Sequence, residues 1–397
     1  MKVLYLSHRL PYAPNRGDRI RSFHLLEGLR AAADVHVVSL VHDDDEASHT
    51  GELAARGMTV TTARVGGPWR WVRAVAGLAG TTPVTHALLD APELAPAIAA
   101  AIARVRPDVV VALGSGMAKY AMRPPLDAFP YVLDMVDVDS EKWRALVKVT
   151  PPPKSWIYRR EARVLAAFEA VATSRAVTTL VVNDRECASL KALAPAADIR
   201  VLRMGIDLDD FAPVAAPPPS ATVVFCGVMN YAPNEAGAVW LARAVWPLVI
   251  ARRPDARLQL VGSQPSAAVR ALAGPDIEVT GRVPHTRDYM WKAAVAAAPL
   301  HTARGLQNKV LEALAAGLPV VTTTAVREGL PDSLAPGCDV ADDAPGFAER
   351  LLTRLAMTPE ARRARAAEVD LGPHSWRDPR REFAEVVRAA AASARPR

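Results

Sequence analysis

Residues 303–323 read ARGLQNKVLEALAAGLPVVTT. The second half of this stretch decides the fold. Ala313, Ala315, Ala316 and Gly317 give a helix a run of small residues that can lie close against a sheet. Gly317 falls where a helix C-terminus favours a residue tolerant of positive φ, and Pro319 cannot continue the helix. Val320 and Val321 then open a bare apolar strand of the kind buried in a parallel sheet.

The same alternation runs outward in both directions. KVLYLS from Lys2, DVHVVSL from Asp34, DVVVAL from Asp108, YVLDMVDV from Tyr131 and AVTTLVV from Ala176 read as strands. Helical segments lie between them, among them RIRSFHLLEGLR and IYRREARVLAAFEAVAT. The rhythm stops in RMGIDLDDFAPVAAPPPSA, residues 203–221, where four prolines make a stiff linker. It restarts with ATVVFCG, a helix from about Asn234 to Ala251, then RLQLVG, IEVTG, VAAAPL and PVVTT. The pattern predicts an α/β fold of two doubly wound, Rossmann-like domains. The predicted bounds are residues 1–200, a linker at 201–220, a second domain at 221–370 and a C-terminal helix at 371–397. Ligands of such sheets bind beyond the carboxyl ends of the strands. Two such domains facing across a cleft can close over a substrate and exclude water. The candidate loops are therefore 8–18, 114–118, 134–140, 227–235, 281–285 and 301–309.

Composition narrows the function. Of 397 residues, 50% are hydrophobic and 23% charged, enough for two folded cores. The formal charge of +6 suits anionic small molecules or an anionic membrane surface. The basic residues lack the aromatic-interleaved runs of a nucleic-acid binder. Cys187, Cys226 and Cys338 lie far apart and imply neither a disulfide framework nor a zinc site. MKVLYLS reads as a first strand rather than a signal peptide, and no stretch reaches the ~18 apolar residues that span a bilayer. The expected location is the cytoplasm.

The loops exclude several chemistries. GxGxxG is missing from the first loop, and GxxxxGK[ST], HExxH and GxSxG are missing throughout. No metal is implied. What remains is the first half of the opening stretch. A helix that starts after residues 302–306 points unpaired backbone N–H groups outward, and its dipole favours an anion there. Arg304 and Lys309 add cationic donors. Glu312, about a turn further, is placed to accept from two ribose hydroxyls. The other reading of Lys309 and Glu312 is an ordinary i,i+3 surface pair. Gly281, Arg282 and Val283 end another strand, where the backbone can approach a base edge. Gly227, Asn230 and Asn234 end a third, with amides suited to phosphate or sugar oxygens.

These loops carry a family resemblance. RMGIDLDDFAP, VVFCGVMNYAPNEAG, VTGRVPHTRDYM, AAAPLHTARGLQNKVLEALAAGLPVVTT and REGL resemble the nucleotide-sugar-binding half of glycosyltransferase family 4, with the GT-B fold. LYLSHRLPYAPNRGDRIRSFHLLEGLR resembles that family's opening strand, loop and helix. YVLDMVDVDSEKW and GLQNKVLEA resemble bacterial sugar transferases associated with PEP-CTERM and exosortase systems. By this resemblance Glu312 holds the donor ribose, Lys309 and the loop around Gly305 contact the diphosphate, and Arg282 and Val283 lie beside the base. Gly17 matches a glycine turn that approaches donor phosphate and acceptor. The sequence also departs from the pattern. The first Glu of the family's Glu-x7-Glu motif is replaced by Arg304, and its Arg and Lys after Gly227 fall on Val228 and on Pro233 or Asn234. Arg304 and Lys309 are the residues left to supply that charge.

In the first domain, Asp134, Asp137 and Asp139 cluster at a strand end. Asp139 reads mainly as a helix cap and Asp137 as the polar catalytic-site group, where the family often has His. Arg9, Arg16, Arg19 and Arg21 either receive an anionic acceptor or form a solvated basic loop, and His8 and His24 read as structural. GGPWRWVRAVAGLAG, with Trp69 and Trp71, either lies on a membrane surface or packs as a helix on its domain. The resemblance implies a retaining, metal-independent hexosyltransferase without a cofactor. It would move sugar from a nucleotide diphosphate sugar to a glycan or lipid-linked glycan in exopolysaccharide or envelope assembly. Two rivals stand beside it: a nucleotide-sugar epimerase or hydrolase, and a non-catalytic nucleotide-sugar binder.

Overall fold

In the computed structural model, residues 15–16, 68, 79, 214–218, 304–305 and 394–397 lie outside the described part of the chain, as do the side chains of 69–71, 76 and 149. The chain divides into two compact units, Met1–Met204 with Trp376–Arg397, and Gly205–Ser375.

The first unit is built on a seven-stranded sheet. Its strands are β1 (Lys2–Ser7), β2 (Asp34–Val41), β3 (Thr59–Arg64), β4 (Val109–Leu113), β5 (Tyr131–Val136), β6 (Thr178–Val181) and β7 (Ile199–Val201). The order is β3-β2-β1-β4-β5-β6-β7, and every neighbouring pair is parallel. The central strands are buried along nearly their whole length, because helices cover both faces. The helices used below are α1 (Gly17–Arg30), α2 (Asp44–Ser48), α3 (Trp69–Gly77), α4 (Asp139–Val149) and α5 (Lys154–Arg175).

The second unit carries β8 (Thr222–Cys226), β9 (Arg257–Val261), β10 (Ile277–Gly281), β11 (Val295–Ala298), β12 (Val320–Thr322) and β13 (Cys338–Val340). Its order is β10-β9-β8-β11-β12-β13, again all parallel. Helices α6 (Ala232–Trp240) and α7 (Asn308–Ala315) follow β8 and β11. The stop after α7 is as the sequence requires, with Gly317 at φ +79° and Val320 and Val321 buried in β12.

Strands β3, β7 and β13 were not legible in the pattern. TVTTAR is mostly polar, and the other two have three residues each. The helix expected over Asn234–Ala251 is interrupted by a π-turn at Leu241–Val245 before helix resumes at Trp246–Ile250. Pro247 sits just past the turn and has no N–H for the carbonyl four residues back. The last helix, α8 (Arg377–Ala392), belongs to the first unit. It packs so tightly on α1 that a Cβ on Gly28 would lie 2.6 Å from that of Arg380. The His24 ring stacks on Trp376 at 4.5 Å, which makes it structural.

Candidate functional site

The winding of the second sheet locates its crevice. The chain steps outward from β8 through β9 to β10, then returns past β8 to lay down β11, β12 and β13. β8 and β11 are neighbours, Val223 opposite Val295. The loops at their carboxyl ends leave in opposite directions and open a crevice at that switch point. The loop after β8 leads into α6, and the loop after β11 leads into α7.

Lys309, in the first turn of α7, spans the floor of this crevice. Its Nζ donates to Asn234 Oδ1 on α6 at 2.6 Å and lies 4.8 Å from the centre of the Phe225 ring. Asn234 is buried, and its Nδ2 donates to the Val228 carbonyl at 2.9 Å. Both halves of the amide are therefore spent, and Asn234 acts as an anchor for the lysine. A neutral amide and an aromatic face steady an ammonium without cancelling its charge. Burial lowers Lys309 to about 8, against the upward pull of Cys226 and Glu312.

Glu312 lies a turn further along α7 and is half-buried. Burial pushes its carboxyl up to about 7, with Lys309 opposing the rise. Among the described residues none donates a hydrogen bond to it. The surface-pair reading does not describe this geometry, because the lysine reaches across the crevice to Asn234 instead. Beneath them, burial and then Glu312 raise the Cys226 thiol well above its ordinary range.

The rim is shaped by three glycines at three strand ends. A Cβ on Gly227 would sit 2.7 Å from the Asn234 amide. Gly262, just after β9, has φ +148°, and a Cβ there would overlap the Gly227 carbonyl oxygen. Gly281 closes β10 at φ +70°. Backbone bonds stitch the loops together: Gly227 N to Val261 O at 3.0 Å, Met229 N to Ser263 O at 2.9 Å and Gly262 N to Gly281 O at 3.2 Å. Asn230 is exposed on this rim and donates from Nδ2 to Gln264 Oε1 at 2.8 Å. Arg282 is exposed on the loop after β10, while Val283 packs partly against the core.

Thus Gly227, Asn234, Lys309 and Glu312 form one cluster, with Asn230, Arg282 and Val283 on neighbouring loops of the same sheet edge. Arg304 and Gly305 lie outside the described residues. Sequence reasoning missed Phe225, Cys226 and Gly262. For Gly262 the signal was present: VFCG, LQLVG and IEVTG each end an apolar run on glycine.

The first unit has its own switch point, between β1 and β4. Gly17 opens α1 there, with open space where a Cβ would be. The arginines of that region are engaged inward. Arg21 and Asp134 are both fully buried and joined by a fork of bonds at 2.8 and 2.9 Å, and Arg21 also donates to the Leu202 carbonyl at 2.8 Å. Arg19 pairs with the fully buried Glu46 of α2 at 2.8 Å. Glu46 also accepts from Leu10 N at 3.0 Å and His42 N at 2.8 Å, pinning the loop after β1. These two arginines are neither an open anion site nor solvated. Arg16 lies outside the described residues.

Asp137 stands exposed beyond β5. Desolvation of its carboxyl, then the charges of Glu186 and Asp139, push it up to about 6. Asp139 makes no capping bond. It accepts from Ser115 Oγ at 2.9 Å, while the start of α4 is capped by Glu169, which takes Ser140 N at 3.0 Å.

Comparison with known proteins agrees with this architecture. Residues 220–356 match the family model described as Glycosyl transferases group 1. The fold is GT-B, two parallel sheets of the kind found in solved structures of that class. HepE of Anabaena in complex with UDP superposes with a TM-score of 0.67 at 14% identity, over 98% of this chain and 100% of that one. Its complex with UDP-glucose gives 0.67 at 13% identity, over 98% and 100%. The α,α-trehalose 6-phosphate synthase of Burkholderia multivorans gives 0.64 at 15% identity, over 99% of each chain. No curated protein matches the sequence.

Proposed function

We propose that this chain is a glycosyltransferase that moves a sugar from a nucleotide diphosphate sugar to a hydroxyl acceptor. The observation that carries the reading is the pairing of Lys309 and Glu312 at the switch point. One charge is anchored to a neutral amide, and the other accepts no hydrogen bond from the described residues. The match of residues 220–356 to a glycosyltransferase model, and the UDP and UDP-glucose held by HepE, support it.

In this reading Glu312 accepts from the ribose hydroxyls, and the base lies along the loop of Arg282 and Val283. The diphosphate faces Lys309 and the start of α7, with Arg304 and Gly305 assigned beside it. As the bond to the sugar breaks, negative charge grows on the departing diphosphate, and fixed cationic and N–H donors there lower the barrier. No cofactor and no metal is assigned a step. Asp137, on the loop after β5, is assigned to the acceptor hydroxyl, and Gly17, at the start of α1, to the glycine turn of the family resemblance. Retention of anomeric configuration, a hexose as the transferred sugar, family 4 membership and a role in exopolysaccharide assembly in the cytoplasm follow from the sequence resemblance. The acceptor class that the resemblance implies is a glycan or a lipid-linked glycan.

The test is a thermal-shift screen against UDP, GDP, ADP and their sugars, repeated with Glu312→Ala. A nucleotide that binds the native state raises the melting temperature. One nucleotide should stabilise the wild type and not the variant. Equal stabilisation of both would remove Glu312 from the site, and stabilisation without sugar transfer to any glycan extract would leave only a binding protein.

A further inference from the structure

Ten large hydrophobic side chains stand exposed among the described residues, and six of them belong to two neighbouring pieces of the first unit. Val72, Val75 and Leu78 lie along α3 and the turn after it; Leu146, Trp156 and Ile157 lie on the α4–α5 hairpin. Trp156 is 65% exposed and Val75 66%. Side chains of that size are normally covered, and a concentration of them marks a docking surface.

The two pieces are locked together by the turn of α5 that follows Trp156 and Ile157. Arg160 donates to the carbonyls of Gly77, Gly80 and Thr82, the last two at 2.6 and 3.0 Å. Glu161 accepts from Val84 N and Thr85 N, both at 3.0 Å. The end of α3 is thereby tied to the start of α5.

Charge is concentrated on the same piece. The α4–α5 hairpin, residues 139–175, holds eight basic side chains and four acidic ones, a surplus of four out of the net +6 of the whole chain. Two of the four acids, Glu161 and Glu169, are buried and turned inward, and Glu141 pairs with Arg144. Lys148, Lys154 and Arg159 are exposed close in sequence to the apolar tip, and Lys142 and Arg163 are exposed further back along α4 and α5.

We propose that the α4–α5 hairpin, with α3 beside it, docks the first unit on a bilayer that carries anionic lipid headgroups. Trp156 and Ile157 enter the headgroup region, and the surrounding Lys and Arg meet lipid phosphates while their alkyl stems cover apolar surface. Among the described residues no helix is long and apolar enough to cross a membrane, so the contact is peripheral. A second copy of the chain is a poor occupant, because two such collars of charge repel. The inference stands on exposure and charge alone and does not depend on the donor reading above.

The experiment is co-sedimentation of the full chain with phosphatidylcholine vesicles, with and without phosphatidylglycerol. Binding should require the anionic lipid and weaken with salt. Trp156→Ser with Ile157→Ser should lower the partition coefficient about tenfold or more, and Lys154→Glu with Arg159→Glu should do the same. All four positions are exposed, so melting temperature and any nucleotide-induced shift should stay at wild-type values, which separates this test from that of the donor site. A wild type that stays in the supernatant with anionic vesicles overturns the proposal. So does vesicle binding that charge reversal abolishes but the serine pair leaves intact, because the contact would then be attraction between charges alone and the exposed apolar tip would take no part in it.

Discussion

The two sheets reverse their winding in the same way, yet they treat the charges at the reversal differently. In the first unit Arg21 lies against Asp134 and Arg19 against Glu46, and all four side chains are at most 9% exposed. Each charge meets its opposite, so the groups hold a loop and two strands in place and have little left for a ligand. In the second unit Lys309 meets an amide and a ring, and Glu312 meets no donor among the described residues. Charges that act on each other without a hydrogen-bonded counter-ion at a crevice cost stability, and a ligand that supplies the missing partners recovers that cost. Buried charge alone therefore does not mark a site; the nature of its partner does.

The comparison breaks first at Arg21. Arg21→Leu strands the Asp134 carboxylate in the core and should cost about 3–5 kcal/mol of stability in chemical denaturation. The double change Arg21→Met with Asp134→Leu should recover most of that loss. A nucleotide-induced thermal shift of the second unit should survive in the double variant. If the double variant lost nucleotide binding while folded, the first unit's charges would belong to the donor site after all.

Next comes Gly262. A side chain there overlaps the Gly227 carbonyl and forces apart the loops after β8 and β9. Gly262→Val should abolish the nucleotide-induced shift and lower the melting temperature by several degrees, roughly the 2–4 °C that each kcal/mol is worth in a domain of this size. Retained nucleotide binding would show that the rim loops need not meet.

The alternation of strand and helix was legible because central strands of a parallel sheet are apolar throughout, as in VVVAL and VAAA. Edge strands escaped notice for the opposite reason, since TVTTAR needs polar residues on its open side. Lys309 and Glu312 were legible as a pair because three positions on a helix share a face. Their chemistry was not, since Asn234 lies 75 positions away and only the sheet order brings it to the lysine. The arginines of the first loop misled for the same reason. Asp134 and Glu46 are distant in sequence, and nothing local announces that they neutralise Arg21 and Arg19.

A smaller effect sharpens the role of Asn234. Asn234→Leu keeps the branching of the side chain on α6 but frees the ammonium of Lys309. Nucleotide affinity should fall about tenfold, the value of one charge-assisted hydrogen bond that positions a charge. Lys309→Met should cost at least as much. If Asn234→Leu bound nucleotide as tightly as the wild type, the lysine would need no anchor, and the contrast with the paired arginines would lose its meaning.

The smallest effect is the response to pH, and it distinguishes a ligand site from a surface pair. Burial raises Glu312 to about 7 and lowers Lys309 to about 8. Below about 7 the carboxyl takes up a proton and loses acceptor capacity for ribose hydroxyls. Above about 8 the ammonium sheds a proton and loses its charge toward the diphosphate. Nucleotide affinity measured by calorimetry should therefore be highest between these values and fall on both sides. Glu312→Gln cannot titrate, so it should bind more weakly at neutral pH and lose the acid limb, while the alkaline limb remains. Binding above pH 8 should also take up a proton, because the bound diphosphate restores the lysine's preference for its charged form. A solvated pair would ionise near 4 and 10 and leave affinity flat across this whole range.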